Sequence, residues 1–222
     1  MGEVSGMIHT NSNRVFLAPA QYVDSDRALV TKVARELTAE NGSGDLAMLA
    51  IRIFRYVREI RYGAPDFDRL DSFKASTLLR DGRGYCVPKA CAFAALCRAA
   101  GIPARLGFAD VTNHLAKPET LELMGGSVFA WHGYAEVLLR ERWLKVSPTF
   151  DSQTCERMEA NILEFDGVSD AHLQPFDRSG RKFMTYERFH GTFHDVPAHF
   201  LAAEMKRLYP HAYQAIRSGK LS

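Results

Sequence analysis

The chain has 222 residues, 46% of them hydrophobic and 24% charged, with 28 basic side chains against 26 acidic ones and a formal charge of +2. Such a length and composition suit one globular domain with a sizeable core, and no linker-like stretch divides it. The near-balance of charge argues against nucleic acid or an anionic membrane as partner, and no apolar run is long enough to cross a bilayer.

Met1 to Asn13 is polar and lacks the charged-then-apolar layout of a signal peptide. Gly6 stands where a myristoylation pattern wants Ser or Thr. The four cysteines then read as reduced thiols in a cytoplasm rather than a disulfide framework. Asp24 or Ser25 can cap a first helix with Leu29, Val30, Val33 and Leu37 on one face, closed by Gly42. Ser43 or Asp45 can cap a second, with Leu46, Leu49, Ile53, Val57 and Ile60 at helical spacing. Residues 61–74 read as a loop, and Ala75 to Arg80 as a short helical turn. A third helix runs from about Cys86 to Ala100. It is small or apolar on most faces, which marks a buried helix. Pro88 is tolerated in its first turn, and Gly101 and Pro103 end it.

After Pro103 the period changes to two. Arg105 to Val111 reads as a strand, and Val128 to Leu139 with Arg142 to Ser147 as a strand pair around Arg140-Glu141. Thr154 to His194 reads as irregular. Within it Phe165, Phe176, Phe183 and Tyr186 are candidates either for cleft lining or for core packing. A last helix starts near Asp195, with Phe200, Leu201, Met205 and Leu208 on its face. The layout is α+β, a buried helix packed on an antiparallel sheet.

Cys86 is the candidate nucleophile. A cysteine in the first turn of a buried helix lies at the positive end of the helix dipole, which favours thiolate. The free N–H groups of that turn face whatever approaches the sulfur and suit an oxyanion. Gly82 and Gly84 let a backbone come close. The same cysteine also fits as one more buried small residue, as Cys91 and Cys97 do. Spacings of five and six are not metal-ligand spacings. His132 is the candidate base, in mid-strand within Ala130-Trp131-His132-Gly133-Tyr134; a hydrogen-bonded core histidine is the alternative. His9, His172 and His211 read as surface residues. Phe108 to His114 is either cleft lining or a turn and reads better as a turn. Phe189 to Asp195 reads as a capped helix start, and His190 and His194 find no metal-binding partners.

Leu79-Arg80-Asp81-Gly82-Arg83-Gly84-Tyr85-Cys86, with the alanine-rich run and Ala100-Gly101-Ile102-Pro103-Ala104-Arg105 behind it, resembles the core of the transglutaminase-like superfamily. His132-Gly133-Tyr134-Ala135-Glu136-Val137 resembles that family's histidine strand, and Trp143 to Thr149 its tryptophan strand, which ends Asp-Pro-Thr. The resemblance covers about residues 45–151, with 152–222 expected as a C-terminal extension packed on that core within one domain, 1–222. It implies a papain-like fold, a Cys-His-Asp triad and acyl transfer through a thioester, ended by water or an amine, on a peptide or protein amide. Ser147 stands at the family's aspartate position. If Leu139 pairs with Arg142, His132 falls opposite Thr149, and Ser147 and Asp151 are its two diagonal neighbours. Asp151 is therefore the candidate replacement acid; the alternative is that it opens a loop.

The expected activity is that of a cysteine amide hydrolase or acyltransferase using Cys86, His132 and Asp151, with no cofactor and no metal. The alternative is a binding module that keeps the fold without the chemistry.

Overall fold

The computed structural model describes residues 13–42 and 44–220; His9, Gly6 and the Ser43 cap lie outside these. Helix α1, Ala28–Asn41, buries Val30, Val33, Ala34 and Leu37, and Gly42 closes it in a left-handed conformation. Neither expected residue caps it, because Arg27 holds the N-cap position. The Asp24 carboxylate instead accepts the N–H and hydroxyl of Ser76 in the first turn of another helix, α3. Helix α2, Leu46–Glu59, is capped by Asp45, which accepts the Ala47 N–H. The loop expected at 61–74 carries a 3₁₀ turn, Leu70–Phe73, and a two-residue strand, β1, Arg61–Tyr62. β1 pairs in parallel with β2, Arg83–Gly84, across α3, Ala75–Asp81.

Helix α4, Cys86–Ala99, is the centre of the molecule. Every residue from Val87 to Arg98 is buried. It meets α1, α2 and α3 on one side and strands β3, Ala104–Asn113, and β4, Val128–Leu139, on the other. Two long polar side chains survive inside because carbonyls satisfy them. Lys89, fully enclosed, donates to the carbonyls of Arg58 and Ile60 at 2.8 and 2.6 Å. Arg98 donates to those of Ala18, Ala104 and His194. Each thus pins a neighbouring segment to α4.

The main sheet has the order β5-β4-β3-β6, antiparallel throughout. β5 is Arg142–Val146, and Leu139 pairs with Arg142 as the sequence suggests. Arg140 and Glu141 both adopt positive φ, 48° and 64°, the geometry of a two-residue hairpin turn without its usual Asn or Gly. Three expectations change. Phe108 to Asn113 continues β3, and the turn comes only at His114 and Leu115, where the Asn113 side chain accepts the Leu115 N–H. The segment 154–194 is not irregular throughout. It begins within α6, Ser152–Arg157, and ends in β6, Met184–Phe193, which forms one edge of the sheet. A short helix, α5, Pro118–Met124, precedes β4. The last helix is two: α7, Ala198–Leu208, and α8, Pro210–Arg217. Asp195 caps neither. Its carboxylate accepts the N–H groups of Gln21, Tyr22 and Val23, clasping the N-terminal segment. Phe200 is about half-exposed, with its ring edge-on to Trp131 at 4.8 Å, while Leu201 and Met205 are buried.

Candidate active site

One left-handed turn and one close backbone approach bring Cys86 and His132 to the same cavity. Gly82 ends α3 at φ 65°, a left-handed conformation that suits glycine, and the chain turns through β2 into Cys86. Opposite, Gly133 follows His132 on β4. A Cβ at position 133 would lie 2.9 Å from the Val87 Cα, so only glycine lets the strand touch the first turn of α4. The Gly133 N–H consequently points at the Cys86 sulfur, as does that of Val87. Cys86 and His132 line one cavity of about 870 Å³.

A bulge sets the strand just ahead of the histidine. Ala109 pairs with His132 but Val111 pairs with Phe129, so β4 carries one extra residue opposite Asp110. Trp131 absorbs it at φ 59°, unusual for a bulky residue. The Asp110 carboxylate holds that conformation by accepting the Trp131 N–H at 3.1 Å, and the same oxygen lies 2.7 Å from His190 Nε2. The His190 ring stacks on the Trp131 indole at 4.0 Å. His190 thus serves no helix start but supports Trp131, a wall of the cavity.

The electrostatics differ from the sequence expectation. Burial pushes the Cys86 thiol up to about 11, against the opposing pull of the Gly133 and Val87 N–H groups and the Lys89 charge. Burial, with His172 nearby, pushes the His132 imidazole down to about 3. The helix end therefore does not leave a thiolate at rest; dehydration of the sulfur outweighs it, and the resting groups are thiol and neutral imidazole. No carboxylate touches His132 among the described residues. Its Nε2 is buried without a hydrogen bond, as is Oγ1 of Thr149, another residue of the cavity lining.

The family's acid position is filled by hydroxyls. Ser147 Oγ lies 2.9 Å from the Tyr186 hydroxyl, which also meets the Leu173 N–H. The Tyr186 ring stands edge-on to His132 at 5.9 Å and to His172 at 4.8 Å. His172 is not a free surface residue. It is half-buried, its Nε2 lies 3.3 Å from an Asp170 carboxylate oxygen, burial lowers its pKa, and its Nδ1 is enclosed without a partner. Of the four aromatic candidates for cleft lining, Phe183 lines the cavity, Tyr186 backs the histidine, Phe165 is core, and Phe176 is exposed.

Asp151 is placed elsewhere. Its carboxylate accepts the Thr154 N–H at 3.0 Å and hydroxyl at 2.8 Å, capping α6, and the Tyr62 N–H at 2.7 Å, anchoring β1. Burial raises its pKa, but these donors and the Lys89 charge outweigh burial and hold the carboxyl below its ordinary value. It has no hydrogen bond to His132. Asp151→Asn is therefore expected to lower stability by about 1–3 kcal/mol while leaving the rate per folded molecule near wild type. The lowered native pKa means the wild-type carboxylate stabilises at neutral pH and loses that effect as pH falls through it. Urea titrations of both proteins at pH 7 and pH 3 should show the gap narrowing in acid; a large loss of rate in folded Asp151→Asn would return Asp151 to the catalytic group.

Sequence reasoning named Tyr186 only as an aromatic for lining or core, without its hydroxyl's bond to Ser147, and it missed Lys89 and the joining of Asp110, His190 and Trp131. For Tyr186 the one signal was the departure at Ser147, which asks for a substitute without saying where it comes from.

Comparison with known proteins adds the family. The chain resembles the periplasmic domain of TgpA from Pseudomonas aeruginosa, at 24% identity over 68% of this chain and 50% of that one, with a TM-score of 0.46. It also resembles a "Putative Cysteine Protease" from Cytophaga hutchinsonii, at 17% identity over 80% of this chain and 53% of that one, TM-score 0.43. It spans about half the length of each. None of the curated proteins matches. The model of the transglutaminase-like superfamily matches residues 31–148, more than half of the chain, a span that holds α4, the histidine strand and the tryptophan strand. The chain belongs to the transglutaminase-like superfamily.

Proposed function

We propose that the protein is a cysteine-nucleophile enzyme that hydrolyses a peptide-like amide or transfers its acyl group. The observation that carries this reading is the shared cavity. Cys86 at the mouth of α4 and His132 on β4 both face it, and the Gly133 N–H is aimed at the sulfur. As the Cys86 sulfur attacks the amide carbonyl carbon, the thiol proton passes to the neutral imidazole of His132. The C–S bond forms, and the carbonyl oxygen gains negative charge facing the backbone N–H groups at the head of α4. His132 then gives its proton to the leaving nitrogen, the C–N bond breaks, and a thioester remains. Water or an amine, deprotonated by His132, attacks the thioester; the C–S bond breaks and the thiol recovers its proton. Ser147 and Tyr186 orient the ring through packing and a neutral hydroxyl pair, where the family uses a carboxylate.

Iodoacetamide tests this. Cys86 is part-exposed while Cys91, Cys97 and Cys155 are buried. In the native protein Cys86 should be alkylated well ahead of the other three, with a rate climbing about tenfold per pH unit between pH 7 and 10 as the raised thiol begins to ionise. Equal labelling of all four, read by peptide mass spectrometry, would remove the catalytic assignment. One observation favours a second reading, a binding module on the same fold: among the described residues no acid backs His132. A folded protein that binds peptides but alkylates at Cys86 no faster than at its buried cysteines would support that reading.

A further inference from the structure

The cavity carries more information than the two reacting groups. Its walls fall into two chemistries. Leu201 and Met205 of α7, Tyr209, Ile216 of α8, Leu123 of α5 and Trp131 make an apolar side. That side is fixed, because the Tyr209 hydroxyl accepts the Ala130 N–H at 2.5 Å and so ties the start of α8 to β4 just ahead of Trp131. The remaining lining includes four cations, Arg61, Lys117, Arg157 and Arg181, against one carboxylate, Glu159. This excess within one cavity exceeds the +2 of the whole chain. Glu159 is engaged by Arg181, which also pairs with Asp177. Arg157 donates only to the neutral Thr154 hydroxyl, and Arg61 and Lys117 have no acidic partner among the described residues. All three are exposed, so these charges stand at the solvent rim of the cavity, where the charged groups of an occupant meet them.

Volume narrows the occupant further. About 870 Å³ lies in the range of cavities that enclose a small molecule. A peptide of a few residues fits; a folded surface does not enter. We infer that the substrate is a short acidic peptide with a bulky apolar side chain beside the scissile amide, the apolar group seated against α7 and α8 and its carboxylates facing Arg61, Lys117 and Arg157. This rests on the cysteine-enzyme reading above and adds to it. α7 and α8 lie beyond residue 148, outside the span matched by the family model, so most of this apolar wall, all but Leu123 and Trp131, comes from the C-terminal segment.

Peptidyl chloromethyl ketones test the inference without a known substrate, since each reports its fit through the rate of Cys86 alkylation. Three probes with the same terminal leucine and either two aspartates, two asparagines or two lysines upstream would be compared on the full chain, with alkylation read by mass spectrometry. The aspartate probe should react about tenfold faster than the asparagine probe and faster still than the lysine probe, the advantage shrinking in high salt. Replacing the terminal leucine by glycine should slow all three. In the Lys117→Gln/Arg157→Gln protein the ratio of aspartate to asparagine rates should fall about fivefold; Lys117→Gln alone, with a smaller fall, guards against a folding effect at Arg157. Equal rates for the three charge classes, with Cys86 still the labelled residue, overturn the specificity and leave the enzyme reading standing. Absence of selective Cys86 labelling by any probe overturns both.

Discussion

Cys86→Ala is expected to abolish turnover of an acidic peptide amide, by at least about 1,000-fold, with a melting temperature close to wild type. The sulfur is the atom that forms the intermediate, and no other thiol in the chain can take its place: Cys91, Cys97 and Cys155 are enclosed and their pKa values are raised, with burial the leading cause in each. His132→Ala should cost a comparable factor, because at neutral pH a thiol held near 11 ionises too rarely to react without a base at hand. The double variant should be little worse than either single one, since the two side chains act as a unit. Rates on a fluorogenic peptide, paired with thermal unfolding curves, measure both quantities. Substantial turnover in folded Cys86→Ala would place the chemistry elsewhere in the molecule.

Ser147→Asp is expected to strengthen the base. A carboxylate at this position would stand where the family has its acid, beside the Tyr186 hydroxyl that now meets Ser147. An opposite charge within a few ångströms raises an imidazole pKa by about one to three units. Added to an imidazole held near 3, that leaves His132 neutral at pH 7. Labelling of Cys86 by iodoacetamide at pH 7 should therefore stay close to wild type, while turnover of a peptide amide, in which the imidazole must carry the thiol proton, should rise about tenfold. Ser147→Ala, which removes a hydroxyl without adding charge, should give no such rise. A folded Ser147→Asp protein with wild-type turnover would show that a carboxylate at position 147 does not reach the His132 ring.

The parts of this structure that the sequence displays are those decided locally. The period of apolar residues and the Asp45 cap give α2, and small-residue composition gives the buried α4. Strand length alone gives the β4–β5 register, although Arg140-Glu141 carries no hairpin signal. The order of Cys86 and His132 along the chain is legible in the same way, through motifs.

What stays hidden is decided across long separations. β6 breaks its alternation at two irregularities in its pairing with β3 and exposes much of its length, so no clean period marks it. Asp24 and Asp195 look like caps for the helices that follow them, yet they bond to backbone 52 and more than 170 residues away, because those buried N–H groups had no nearer acceptor. Asp151 has the same history. Its position in the hairpin invited a catalytic role, but the first turn of α6 and the Tyr62 N–H both sit closer to its oxygens. The Tyr186 hydroxyl reaches Ser147 from 39 residues on, a pairing no motif announces.

The place of β6 bears on how the protein is made. β3 lies between β4 and β6, so one of its edges is closed only when residues 184–193 arrive. On a ribosome adding about 5–20 residues per second, that edge stays bare for several seconds after its other partner has docked. An open strand edge is a template for joining the wrong chain. The newborn polypeptide thus passes through an interval in which it is both sticky and, with α7 and α8 still unmade, unable to enclose a peptide beside its cysteine.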